Sequence, residues 1–102
     1  FPPHCGCGAI LRPGVVWFGE PLPEEAWQRA ATAAAASDVF LVIGTSALVQ
    51  PAASLPLLAK QAGAMLIEIN PDPTPLSDWA DLTLTGKAGE ILGALRGKTH
   101  IV

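Results

Sequence analysis

The sequence is short of charge, of sulfur and of long apolar runs. Six of its 102 residues are Lys or Arg and nine are Asp or Glu, a net charge of −3, with an isoelectric point of 5.1. A chain so poor in cations lacks the basic surface that draws nucleic acid or an anionic membrane, so neither is an expected partner. No apolar run approaches the roughly 20 residues that span a bilayer. The longest, Val39–Phe40–Leu41–Val42–Ile43, has strand length. The N-terminus lacks a basic segment followed by an apolar one, so no secretory leader is expected and the compartment defaults to the cytoplasm. Two cysteines do not make the disulfide framework of a small secreted domain. The only methionine is Met65 and the chain opens on Phe1–Pro2–Pro3, which reads as a piece of a longer polypeptide. Neither a Gly-x-Gly-x-x-Gly segment nor a P-loop is present.

What is abundant is apolar surface. Half of the residues are hydrophobic and the mean hydropathy is +0.40, the reverse of a disordered composition. At this length one soluble, globular layer pair is expected, not two full domains.

Turn residues divide the chain cleanly. Arg12–Pro13–Gly14 ends a first loop. Val15–Val16–Trp17–Phe18 is β-branched then aromatic and predicts a short strand. Pro23 suits the first position of a helix, and Glu24 and Glu25 favour its positive end. That helix runs through alanines to about Ala36. Val39–Ile43 predicts a strand buried on both faces, the kind found in parallel sheets covered by helices. A helix follows from about Leu55, with Ser54 as its N-cap and Gly63 just past its end. Ala64–Ile69 predicts a second buried strand and Asp81–Thr85 a short third one. A last helix ends near Gly97, with 98–102 as a tail. Alternation of this kind predicts an α/β fold: part of a doubly wound, Rossmann-like parallel sheet with flanking helices.

Ligands of such sheets bind beyond the C-terminal ends of the strands. That rule selects Gly19–Glu20, Gly44–Thr45–Ser46, Asn70–Pro71–Asp72 and Gly86–Lys87–Ala88. Gly44 permits close backbone approach, while Thr45 and Ser46 add hydroxyls and N–H donors suited to phosphate or ribose. Asn70 offers a donor and an acceptor. Plain turn and helix-entry chemistry uses the same residue types. Cys5 and Cys7 are one residue apart. A loop with two free thiols is the simpler reading. A zinc reading draws on His4 and Cys7, which have the usual two-residue spacing, with Cys5 out of step. No Ser–His–Asp or Cys–His arrangement for nucleophilic catalysis is present.

Three segments taken together are more specific than any one: Arg12–Pro13–Gly14–Val15–Val16–Trp17–Phe18–Gly19–Glu20, Gly44–Thr45–Ser46–Ala47–Leu48–Val49–Gln50–Pro51–Ala52, and Glu68–Ile69–Asn70. In order and spacing they resemble the sirtuins, NAD-dependent protein-lysine deacylases, in their bacterial form. The resemblance runs from Cys7 to about Leu95. It implies that residues 1–13 end a small zinc-ribbon-like domain, and that residues 14–97 are the C-terminal half of a Rossmann-like NAD-binding domain. Gly44, Thr45 and Ser46 then resemble the segment contacting the ribose and phosphates of NAD. Asn70, Pro71 and Asp72 resemble the one holding the adenosine ribose, and Lys87 and Ala88 the one against the adenine. Val16, Phe18, Gly19 and Glu20 on one side, and Val49 on the other, resemble the clamp for an acyl-lysine protein or peptide, which adds as a strand. Cys7 falls at the family's last zinc ligand. The ligand before it should stand at position 4, which holds His4.

The implied reaction consumes NAD and releases nicotinamide and O-acyl-ADP-ribose. The family's Gly-Ala-Gly-x-Ser segment, its Gln-Asn-x-Asp segment and its catalytic histidine are absent from these 102 residues. The resemblance therefore implies no catalytic residue here, a chain inactive alone, and an open sheet edge where the other half of the domain belongs. Two other readings share the fold: a non-enzymatic nucleotide-binding or interaction module, and a zinc-stabilised structural fragment.

Overall fold

The computed structural model describes residues 3–11 and 14–98, with the side chain of Lys98 excepted. The loop end at Arg12–Pro13 and the tail at 99–102 lie outside the described residues.

Helix α1 spans Glu24–Ala36, strand β1 Val39–Ile43, helix α2 Leu55–Gln61, strand β2 Met65–Asn70, strand β3 Leu82–Thr85 and helix α3 Ala88–Lys98, with one 3-10 turn at Ala52–Ser54 before α2. The three strands are parallel in the order β1-β2-β3. This is the expected α/β sheet with one element fewer. Val15–Phe18 forms no strand. It is an exposed loop whose turn is closed by Glu20, as described below. β-branched and aromatic residues fit a pleated, half-buried surface, and no strand among the described residues pairs with this segment to supply one.

Local chemistry explains the boundaries. Pro23 precedes α1, and Trp27 N–H donates to the Pro23 carbonyl at 3.0 Å. Pro56 sits in the first turn of α2, where its missing N–H costs nothing. Ser54 does not cap that helix; its hydroxyl donates back to the Pro51 carbonyl at 2.6 Å. At the other end Gly63 has φ +105. Its N–H donates to Lys60, and Ala64 N–H donates to Ala59, each at 3.0 Å. That pair of bonds is the Schellman stop, which needs a left-handed residue and so a glycine.

Small residues let the helices come close. Ala34 of α1, Ala59 of α2 and Ala64 form one buried cluster, with Phe40 and Leu55 against it. Leu66, Val42 and Leu76 form a second, packed with Phe40 and Leu57. Both clusters lie on the Phe40, Val42, Leu66 face of the sheet. The opposite face carries Val39, Leu41 and Ile43 beside Met65, Ile67 and Leu82 in register. Val39, Leu41, Ile43, Met65 and Leu82 are exposed and Ile67 is half-buried, while Ile69, the register partner of Ile43 on this face, is 1% exposed. The expectation that β1 is buried on both faces is therefore corrected: α1 and α2 cover one face only, and β1 is an edge strand.

Asp81 ties the start of β3 to β2. Its carboxylate accepts Leu66 N–H at 2.8 Å and Lys60 Nζ at 3.1 Å, and its own N–H donates to the Leu66 carbonyl at 2.8 Å. The backbone bond from Leu66, aided by Lys60, holds its pKa below the ordinary 3.8. A group whose folded pKa is depressed stabilises the fold above its unfolded pKa and loses that contribution as pH falls through the folded value. The stability difference between wild type and Asp81→Asn, read from urea melts, is thus expected to be full near neutrality and to shrink as pH drops below about 4.

Candidate functional site

The sheet's C-terminal edge gathers three loops, and Asn70 joins them. Its side-chain Nδ2 donates to the Thr45 carbonyl at 2.8 Å. Its Oδ1 accepts Asp72 N–H at 3.1 Å. Its main-chain carbonyl accepts Gly86 N–H at 3.1 Å. One residue at the end of the central strand thereby fixes the turns that follow all three strands.

Two glycines make these turns possible. Gly44 has φ +67 and donates its N–H to the Ile69 carbonyl at 2.9 Å, so the chain leaves β1 in a conformation that disfavours a side chain. Gly86 has φ +154, a backbone conformation that side chains rarely adopt, and an added Cβ would also press on the tip of Ile91 at 2.9 Å, so the turn from β3 into α3 favours glycine. Ala47 takes φ +58 without being glycine, and its N–H donates to the Thr45 hydroxyl at 3.2 Å. That bond orients the hydroxyl while leaving its proton for another acceptor.

Between the loops lies a cleft of about 320 Å³. Gly44, Thr45 and Ser46 form one wall, Asp72 and Pro73 form the other, and Asn70 lies between them. The sequence rule for strand ends thus selected residues that the fold brings together. Pro71 joins Asn70 to Asp72, and Lys87 and Ala88 follow Gly86 at the start of α3.

The other expected site residues lie apart from that cleft. Val16, Phe18, Gly19 and Glu20 belong to an exposed loop in which Glu20 N–H donates to the Trp17 carbonyl at 3.0 Å. Trp17 N–H returns to Glu20 Oε1 at 3.2 Å. Glu20 therefore closes a turn. Val49 lines a separate apolar groove of about 260 Å³ along the open edge of β1, with Leu41, Ile43 and Ala47.

The hairpin at residues 3–11 corrects the metal expectation. His4 and Ile10 form an antiparallel bridge, and Cys5 N–H donates to the Ala9 carbonyl at 2.8 Å. Cys5 and Cys7 at its tip are joined as a disulfide, so the reading of two free thiols fails. A bonded sulfur pair offers no thiolates, the form in which cysteine binds zinc. Cys5, Cys7 and His4 as arranged do not fit a zinc site. Among the described residues no cluster of three or more His, Cys, Asp or Glu side chains could hold a metal ion.

Sequence reasoning missed Glu68. It is 3% exposed, the only buried charged residue among those described. Its two carboxylate oxygens accept the hydroxyls of Thr74 and Ser77. The signal available was an acidic residue inside a strand otherwise apolar up to Asn70. Its partners, however, are six and nine residues away in a loop.

Residues 2–51 match the Sir2 family model. NAD-dependent protein deacylase 1 of Archaeoglobus fulgidus is 58% identical over 94 residues, covering 91% of this chain and 38% of that protein. The NAD-dependent protein deacylase of Mycobacterium tuberculosis is 52% identical, with 92% and 40% covered. The chain thus spans about two fifths of the length of these curated relatives. Among solved structures, a Sir2 homolog–NAD complex aligns with TM-score 0.85 at 57% identity, covering 94% of this chain and 38% of that one. A Sir2–p53 peptide–NAD+ complex aligns with TM-score 0.84 at 33% identity, covering 94% and 40%.

Proposed function

This chain belongs to the Sir2 family, and from that premise we propose that it supplies the nucleotide-binding face of an NAD-dependent protein deacylase. The observation that carries this reading is the Asn70 tie. A single amide joins the exits of β1 and β2 across a cleft at the C-terminal edge of a parallel sheet, where ligands of this architecture bind.

The chemistry of the lining supports a ribose and phosphates. Each Asn70 amide end is half used by the protein, which leaves one N–H and one lone pair for a ribose hydroxyl. Thr45 and Ser46 offer hydroxyl donors, and Gly44 lets a phosphate approach the backbone. Lys87 and Ala88 stand at the start of α3, a reasonable place for the adenine end. The reaction proposed for the whole protein joins the acyl oxygen of a modified lysine to the nicotinamide ribose as nicotinamide leaves; one water is then consumed, the acyl–nitrogen bond breaks, and the free lysine amine and O-acyl-ADP-ribose are released. These 102 residues bind and orient NAD in that scheme; the base is not among them. The Sir2 complexes with p53 peptide and with a propionylated peptide support an acyl-lysine partner. Val16, Phe18, Gly19 and Glu20 would meet it on one side and Val49 on the other. The open apolar face of Val39, Leu41 and Met65 is the natural seat for the rest of such a domain.

The test is Asn70→Ala. It removes the bridge to Thr45 and the anchor of Asp72, each about 1 kcal/mol in ordinary terms. ADP-ribose affinity, measured by calorimetry on the intact protein carrying these residues, is expected to fall by about tenfold or more. Unchanged affinity would remove the cleft from the account.

A further inference from the structure

The loop that forms the far wall of the cleft cannot hold itself in place. It reads Pro71–Asp72–Pro73–Thr74–Pro75, and every second residue lacks an N–H. Side chains must supply the anchors. One is Asn70, which accepts Asp72 N–H. The other starts at Glu68, two residues earlier and on the same face of β2.

Glu68 Oε1 accepts the Ser77 hydroxyl at 2.6 Å, and Oε2 accepts the Thr74 hydroxyl. The two hydroxyl oxygens are acceptors in turn. Thr74 N–H donates to Ser77 Oγ at 2.9 Å, and Leu76 N–H donates to Thr74 Oγ1 at 3.2 Å. Ser77 N–H closes the turn on the Thr74 carbonyl at 3.0 Å. One carboxylate therefore organises residues 74–77 and seats Leu76 in the core, where it is 4% exposed. Thr74 and its neighbour Pro73 line the nucleotide cleft, opposite Gly44–Ser46. Glu68 also lines the adjoining polar recess with Asn70 and Asp72.

We propose that Glu68 is a positioning residue for the nucleotide: it sets the width of the cleft by fixing the 72–75 wall, without touching the ligand itself. This rests on the nucleotide reading above. A purely structural role for so buried a group would lower melting temperature alone. A positioning role also changes affinity in protein that remains fully folded.

The experiment is calorimetric titration of ADP-ribose into the intact protein carrying these residues, well below the melting temperature of each variant. Glu68→Ala is expected to weaken binding by about tenfold, and Glu68→Gln, which keeps one acceptor oxygen, by about threefold. Asp81→Asn is the control. It removes a comparable carboxylate tie at the opposite end of β2, and it is expected to lower the melting temperature with affinity unchanged. If Glu68→Ala does not fold, Ser77→Ala takes its place, with a smaller loss in the same direction. Lower melting temperatures with unchanged affinity in Glu68→Gln and in whichever of these two alanine variants is measured would overturn the proposal. Absence of any ADP-ribose binding by wild type would instead overturn the nucleotide reading, and the proposal with it.

Discussion

Leu66→Ala is expected to lower stability by about 2–5 kcal/mol, the usual cost of truncating a fully buried leucine. Leu66 is 0% exposed at the centre of the middle strand. It joins Val42 and Leu76 in the cluster that Phe40 and Leu57 also pack against, so the space it leaves borders β1, α2 and the 76–80 segment. Close packing on every side limits how far they can collapse into the cavity. Whole domains are commonly stable by only about 5–15 kcal/mol. A chain with an open sheet face belongs at the low end, and this one substitution should leave much of it unfolded at 25 °C. Leu41→Ala, on the open face and 49% exposed, should cost far less. Urea melts of the two variants make the comparison. Equal losses would mean that the covered and open faces have been confused.

The 102 residues alone should neither deacylate an acetyl-lysine peptide nor release nicotinamide from NAD. The reason lies in the chemistry of the cleft. Its lining supplies the Asp72 carboxylate beside hydroxyls, an amide and backbone N–H groups, and these last bind and orient. A general base within reach of a ribose hydroxyl is a different requirement. His4, the one histidine among the described residues, pairs with Ile10 in the hairpin. Asp72 and Glu68 are close by, but Glu68 has both oxygens engaged by hydroxyls. Nicotinamide release by the pure chain, at a rate above that of NAD in buffer, would contradict this. Activity recovered on mixing with a separately made polypeptide that carries the family's histidine segment would support the assignment of the open face.

The parts of the fold governed by local chemistry were legible beforehand. Val39–Ile43 and the strand at 65–70 announced themselves by β-branched runs bounded by glycine or asparagine. Gly63 marked the end of α2 because its backbone conformation excludes other residues. The strand-end rule then selected Gly44–Ser46 and Asn70–Asp72, because a parallel sheet has only one edge at which its loops converge. What failed needed a partner outside the local window. Val15–Phe18 carries a strand's composition but pairs with no strand among the described residues. Val39 and Leu41 have the apolarity of a doubly buried strand, yet one of their faces is open. Cys5 and Cys7 bond to each other, where their spacing had suggested only free thiols or zinc ligands. Glu68 acquires its role from Thr74 and Ser77, and no periodicity connects those three positions.

The central claim is that the loops joined by Asn70 form a nucleotide site. The most direct test is titration of the isotope-labelled chain with ADP-ribose, followed by amide chemical shifts. Shifts concentrated at Gly44, Thr45, Ser46, Asn70 and Asp72, with α1 and the 3–11 hairpin unmoved, are the expected result. No shifts at saturating ADP-ribose, or shifts centred away from these loops, would contradict it.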